Sequence, residues 1–215
     1  MIIALSILDV DKSLRKEMIK QFEAINKDNF IHFDIMDGEF VSNTSFNEKV
    51  VSEVKSYSNL FRDVHLMVKD PENYLNRYKE SGAQQITFHF EAVDKKNINP
   101  LIEQIKALGL RVGISLKPST KVEAIRPYLS KLDYVLVMSV EPGLGGQKYL
   151  SSATSKIEEL KQIKEANDLN YLIAVDGGIN LETSKIVKSA GADVIIVGSF
   201  LSKQSITKEI LSELS

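Results

Sequence analysis

The sequence predicts a (β/α)8 TIM barrel, and three observations carry that reading. Eight short apolar runs recur about every 20 to 35 residues along a chain of 215. Amphipathic segments of roughly 10 to 18 residues lie between them. The runs are apolar on both faces, as parallel strands covered on both sides must be. Strand–helix alternation of this kind specifies parallel βαβ units. Eight such units fit a compact closed barrel better than an open doubly wound sheet, the competing architecture, which usually has fewer strands. No Gly/Ser-rich or Pro-rich linker divides the chain, so one domain over residues 1–215 is expected.

The elements follow in order. IIALSIL (2–8) is the first strand. SLRKEMIKQFEAINK follows, with Leu14, Met18, Phe22 and Ile25 near one helical face. FIHFDIM (30–36) is the second strand. Alternation puts His32, Asp34 and Met36 on one face and Ile31, Phe33 and Ile35 on the other. The apolar set suits packing against helices. The His/Asp/Met set then points into the barrel, toward the mouth where active sites of this fold lie. RDVHLMV (62–68) repeats the pattern, with His65 and Met67 on one face and Val64, Leu66 and Val68 opposite. QITFHF (85–90) and RVGISL (111–116) are the fourth and fifth strands. DYVLVMSV (133–140) aligns Leu136 with Met138 ahead of SVEPGLGGQ. TSKIEELKQIKEAN has Ile157, Leu160, Ile163 and Lys164 in helical register. YLIAVD (171–176) lines up Leu172, Ala174 and Asp176, and Asp176 is the last strand residue before GGI. DVIIVGS (193–199) closes the set.

Composition narrows the function classes. A hydrophobic fraction of 43% and a charged fraction of 26% are ordinary for a soluble globular protein. The net charge of −2 gives no bulk attraction to nucleic acid or to an anionic membrane. There is no cysteine, so disulfides and thiolate chemistry are excluded, and a metal would have to be held by His, Asp or Glu. Met1 leads straight into a short apolar run without a basic start, which predicts no signal peptide and a cytoplasmic location.

Buried ionisable groups cost several kcal/mol unless they are paired or bound to a metal. His32, Asp34, His65 and Asp176 end three strands on the expected inner face. Two imidazoles and two carboxylates make a mixed N/O donor set suited to one divalent ion, Zn, Fe(II), Mn or Co. A metal would compensate the buried charges. The bland alternative is a hydrogen-bonded core histidine or a capping aspartate at each position. Four such residues at strand ends, in register, favour a site. His89 has the same placing, and spacing alone does not exclude it. Glycines form a second group: VDGGI (175–179) after the seventh strand, VGS (197–199) after the eighth and PGLGGQ (142–147) after the sixth. Loops after the last two strands of this barrel commonly hold phosphate, because glycine lets backbone N–H groups approach an anion. PGLGGQ is a candidate lid. A phosphorylated small substrate is the resulting expectation.

Six blocks carry a resemblance: HFDIMDGEFVSN, VHLMVKDPENYL, ITFHFEA, VMSVEPGLGGQ, VDGGI and GADVIIVGS. In this order, from Ser6 to Ser199, the chain resembles the ribulose-phosphate 3-epimerase family. The resemblance implies a barrel that interconverts D-ribulose 5-phosphate and D-xylulose 5-phosphate, a step of the pentose phosphate pathway. It implies metal ligation by His32, Asp34, His65 and Asp176. It also implies acid/base roles for Asp34 and Asp176, and substrate contact by Ser6 and His65. Gly143, Leu144, Gly145 and Gly146 would cover the substrate, and Gly177, Gly178, Gly198 and Ser199 would cradle its phosphate. His89 is not a ligand in that pattern. Met36, Met67 and Met138 match family positions and read as an apolar collar, or as plain core. The family is commonly dimeric or larger, so a homo-oligomer is expected.

The chemistry agrees with the residues. Inverting C3 beside a ketone requires a proton removed from one face and another delivered to the opposite face, hence two acid/base groups. The intermediate is a 2,3-enediolate, whose charge a divalent ion stabilises. Three positions depart from the family: Ser42 stands in place of a proline, Leu144 of a phenylalanine and Lys117 of an asparagine. They bear on which sugar is used, so an epimerase of a longer ketose phosphate, such as allulose 6-phosphate, is the alternative. A lone Lys117 reads most simply as solvated. A non-catalytic sugar-phosphate-binding barrel would have lost a ligand or a carboxylate, and none is missing. A decarboxylase or aldolase of the DxKxxD type would need a lysine where Ile35 and Met36 stand.

Overall fold

The computed structural model describes residues 1–215. Eight parallel strands close into a barrel in sequence order. They are β1 (Ile2–Ser6), β2 (Phe30–Met36), β3 (Phe61–Met67), β4 (Gln85–His89), β5 (Arg111–Leu116), β6 (Tyr134–Met138), β7 (Leu172–Asp176) and β8 (Val194–Val197). The helices are α1 (Lys12–Ile25), α2 (Glu48–Lys55), α3 (Leu75–Ser81), α4 (Lys95–Ala107), α5 (Ser152–Ala166), α6 (Leu181–Ala190), α7 (Ser199–Ser202) and α8 (Lys208–Leu214).

Alternation along the strands builds two separate apolar regions. Ile31, Phe33 and Ile35 of β2 join a core of 51 buried residues between the sheet and its helices. Inside the barrel, Ala4, Phe30, Tyr134, Leu136, Met138, Ala174, Val194 and Ile196 form a second, smaller cluster. The inner face of β2 and β3 is polar instead, and register pairs Asp34 with His65 and Met36 with Met67. The faces expected for the residues of β2 and β3 named above are those observed.

Two expectations fail. No α-helix joins β5 to β6; two 3-10 turns, Val122–Ala124 and Arg126–Lys131, cross instead. Pro127 sits in the second turn and lacks the N–H that an α-helix would need for its i→i−4 bond. In α1, Leu14 is 59% exposed, and the buried pair is Ile19 and Phe22. Leu14 lies in the first turn, just after the Asp11 cap, and the buried residues begin further along the helix. Lys164, in register with Ile157 and Leu160, is half-buried and pairs with Asp193 at 3.0 Å.

Candidate active site

The C-terminal ends of the strands surround a cleft of about 540 Å3. Its lining includes Ser6, Asp34, Met36, Met67, Met138, Gly143, Leu144, Gly145, Gly146, Asp176, Gly177, Gly178, Gly198 and Ser199. Every residue expected at the site borders this cleft except His32 and His65. Those two are fully buried and form its floor, so His65 presents no surface to the cleft. Sequence reading missed Asp9, Val140, Glu141, Gln147 and Ile179, which also line it.

His32, Asp34, His65 and Asp176 each offer a ligand atom within 4.8 Å of all the others. Asp34 Oδ1 lies 3.3 Å from His32 Nε2 and 3.3 Å from His65 Nδ1. Asp34 Oδ2 accepts a hydrogen bond from Ser6 Oγ at 2.7 Å. His32 Nδ1 lies 2.7 Å from Asp63 Oδ2. A carboxylate only accepts, so that nitrogen carries a proton, and Nε2 is the atom turned toward Asp34. Nε2 has no hydrogen-bond partner although it is completely buried. Two donors about 2.0–2.1 Å from a common tetrahedral ion stand about 3.3–3.4 Å apart, so these residues fit a divalent cation.

Charge is distributed unevenly over the four. Burial pushes the Asp176 carboxyl up, the negative charge of Asp34 adds to this, and its pKa reaches about 7. Burial acts the same way on Asp34, but His32 and His65 outweigh it and hold Asp34 well below the usual carboxylate range. Burial opposes a charge on His32, yet Asp34 and Asp63 on either side raise its pKa above the ordinary value. Near neutral pH, therefore, Asp34 is ionised while Asp176 is close to half protonated.

Loops hold these groups in place. Ser45 Oγ donates to the Asp34 carbonyl at 2.6 Å and accepts from Met36 N–H at 3.0 Å, pinning the end of β2. Asp37 accepts from the N–H groups of Glu39, Phe40 and Lys69 and so ties the β2 loop to the end of β3. Ser139 Oγ donates to the carbonyls of Asp176 and Gly177 at 2.8 and 2.6 Å. The loop after β6 lies over the mouth, fastened by Asn43 Nδ2 donating to the Gly143 carbonyl at 2.8 Å. At Gly143 the torsion φ is +111° and an added Cβ would stand 2.8 Å from Val41 Cβ. Leu144 at the loop's tip is 64% exposed. Asp9 lies against Gly145, and burial followed by the charge of Asp34 raises its pKa.

The backbone N–H groups of Gly177, Gly178 and Gly198 donate to no protein acceptor, which leaves them free for an anion. Gly178 combines φ of +64° with a close approach to the Tyr149 backbone. Gly178→Ala therefore strains the loop and displaces an N–H group; binding of inorganic phosphate, followed by calorimetry, is expected to weaken at least about tenfold. Phosphate bound as tightly as by the wild type would remove this loop from the anion site.

Two further calls meet the geometry differently. Ser42 is exposed and outside the cleft. Lys117 is not simply solvated: it is half-buried, and its Nζ stands 4.1 Å from the centroid of the Phe40 ring. His89 lies outside the four-residue ligand group and behind His65, 3.0 Å away between their Nε2 atoms.

Comparison with known proteins places this geometry. A family described as the Ribulose-phosphate 3 epimerase family matches residues 2–202. The ribulose-phosphate 3-epimerase of Bacillus subtilis (strain 168) is 38% identical over 99% of this chain and 97% of its own length. The cytoplasmic isoform of the enzyme from Oryza sativa subsp. japonica is 38% identical over 86% of this chain and 80% of its own. A crystal structure of 3-hexulose-6-phosphate synthase superposes with a TM-score of 0.72 over 100% of this chain and 98% of its own, at 15% identity, and so shares the fold. With the family match running over nearly the whole chain and both carboxylates and both imidazoles in place, this chain belongs to the ribulose-phosphate 3-epimerase family.

Proposed function

We propose that the protein inverts C3 of D-ribulose 5-phosphate to give D-xylulose 5-phosphate, with Asp34 and Asp176 as the acid/base pair. The observation that carries this reading is the contrast between the two carboxylates. Asp34 is held ionised and Asp176 is raised to about 7, and they rise from strands on different sides of the mouth. Groups with pKa values pushed apart are the mark of an acid and a base sharing one reaction.

In one direction the Asp34 carboxylate takes the proton from C3; the C–H electron pair forms a C2=C3 bond while the C2 carbonyl π pair moves onto its oxygen. That pair then re-forms the carbonyl, and the C2=C3 pair takes the proton of Asp176 at C3 on the opposite face, which leaves Asp34 protonated and Asp176 ionised. The reverse reaction exchanges the roles. Ser6 orients Asp34 through its 2.7 Å hydrogen bond. Met36, Met67 and Met138 form an apolar wall that keeps water from the carbanionic centre. Gly177, Gly178 and Gly198 present N–H groups to the phosphate. His32, Asp34, His65 and Asp176 would hold one divalent ion, Zn, Fe(II), Mn or Co. When bound, it supplies positive charge against the negative charge that develops on the substrate oxygens.

The test is NMR of D-ribulose 5-phosphate in D2O with the protein. Deuterium at C3 together with D-xylulose 5-phosphate is the expected result, and its loss after chelator treatment is expected too. A metal-loaded protein that gives neither signal removes the pentulose reading; turnover of allulose 6-phosphate in the same assay would then identify the longer ketose. In this reading the enzyme serves the pentose phosphate pathway in the cytoplasm, the compartment that the name of the rice relative states for that protein. Copies of the same chain are its protein partners.

The Asp176 pKa also sets a pH dependence. A carboxyl raised to about 7 is protonated below that value, and the proton competes with a metal for its oxygens. Zinc uptake by the stripped protein therefore weakens as pH falls through about 7, where competition with a chromophoric chelator reports it. Affinity independent of pH across this range would remove Asp176 from the ligand set.

A further inference from the structure

Behind the floor of the cleft lies a second layer of polar side chains that the acid/base reaction does not use. It differs for the two histidines. His32 has a carboxylate directly behind it, Asp63. His65 has another imidazole there: the two Nε2 atoms of His65 and His89 are 3.0 Å apart. His89 Nδ1 in turn lies 3.1 Å from Glu91 Oε2. Both histidines are completely buried.

The proton positions along this line are forced from its far end. Glu91 is an ionised acceptor: Lys117 N–H donates to its Oε1 at 2.9 Å and the Thr120 hydroxyl also donates to it. An acceptor facing His89 Nδ1 requires Nδ1 to carry a proton. A neutral His89 then has a lone pair on Nε2. That lone pair requires a proton on His65 Nε2, because two lone pairs at 3.0 Å would repel. Neutral His65 is left with its lone pair on Nδ1, 3.3 Å from Asp34 Oδ1; two acceptors at that distance need a cation between them, so this is the tautomer a bound metal requires. The Phe40 ring, 4.8 Å from the His89 ring between centroids, covers the relay from the mouth side, and Lys117 caps Phe40.

We infer that Glu91 and His89 are positioning residues that act in series to fix His65 as the tautomer whose Nδ1 lone pair faces the metal site. This rests on the metal reading given above. No net charge changes along the line; only the side on which each ring carries its proton is set. The line also gives Lys117 a role: its backbone N–H holds Glu91 and its side chain shields the rings.

The chain has 3 histidines, so each ring can be assigned by 15N NMR. In the zinc-loaded protein His65 should be protonated on Nε2 and hold the metal through Nδ1. His89→Leu removes the acceptor behind His65, and zinc affinity should fall about 10–100-fold by chelator competition. His89→Gln can accept from His65 through its amide oxygen and donate to Glu91 through its amide nitrogen, so it should bind zinc close to wild type. Zinc held through His65 Nε2, with the proton on Nδ1, overturns the inference without any variant. So does zinc binding by His89→Leu at wild-type affinity, or an equal loss in His89→Gln. Wild-type protein that takes up no zinc overturns the metal reading and this inference with it. Wild-type uptake alongside an unaffected His89→Leu overturns the relay alone.

Discussion

Asp34→Asn and Asp176→Asn are each expected to lower epimerisation by about 10²–10⁴-fold, the usual contribution of a positioned acid or base. Asparagine keeps the size and an oxygen acceptor, so Ser6 retains its partner at position 34. An amide ligates more weakly than a carboxylate, so both variants are compared with the wild type at saturating zinc, where the difference is in proton transfer. The two variants should also fail differently. With one carboxylate left, the protein can still take a proton from the face that this group serves, but cannot deliver one to the other. In D2O, one variant should wash deuterium into D-ribulose 5-phosphate without forming its epimer, and the other should do the same to D-xylulose 5-phosphate. Complementary exchange of this kind follows from two bases on opposite faces. A variant that still interconverts the epimers at the wild-type rate removes its aspartate from the mechanism. Exchange of the same epimer by both variants would put both carboxylates on one face and require another proton donor. Asp9, which lines the cleft and has a raised pKa, would be the first residue to examine.

The inner face of the barrel was legible because a strand has a period of two. FIHFDIM and YLIAVD announce His32, Asp34 and Asp176 without any tertiary information, and the observed strand ends differ by no more than a few residues. Helical faces were less legible. Four apolar residues in α1 have suitable spacing, yet the first turn is not covered and leaves Leu14 in water. The β5–β6 crossover illustrates a second limit. KPSTKVEAIRPYLSKLD has helical residues but two prolines, and backbone restriction overrides side-chain pattern.

The supporting residues were hidden for different reasons. Asp63 obeys the same alternation as His65 and Met67, so its signal is present in RDVHLM, but at the start of the strand, away from the end where active sites of this fold lie. Glu91, Asp9 and Lys117 belong to loops or turns. Their positions depend on how neighbouring segments fold back, which no local period encodes. Lys117 shows the consequence: a lone lysine reads as solvated, whereas its position over Phe40 exists only once the β2 loop crosses toward β5.

Asp63 carries the second large expectation. It is fully buried among groups that all donate to it. His32 Nδ1 donates at 2.7 Å, Gln85 Nε2 at 2.8 Å and the Tyr134 hydroxyl at 3.4 Å. Asp63→Leu leaves three buried donors unpaired, and breaking a buried network in this way costs about 3–5 kcal/mol. For a chain of this size the melting temperature should fall by about 10 °C. Asp63→Asn should cost less, since its amide oxygen still accepts from His32 and only part of the network is inverted. Zinc binding separates the two roles of the residue. If Asp63 fixes the His32 tautomer, Asp63→Leu should weaken zinc by about 10–100-fold in protein that remains folded below its lowered melting point. Destabilisation with unchanged zinc affinity would make Asp63 a packing group only. A melting temperature equal to wild type would mean that Gln85 and Tyr134 find other acceptors, and the buried-charge account of the barrel interior would fail. That interior holds a carboxylate where this fold ordinarily places valine or isoleucine. Its presence follows if the barrel is built to hold two imidazoles in one orientation each.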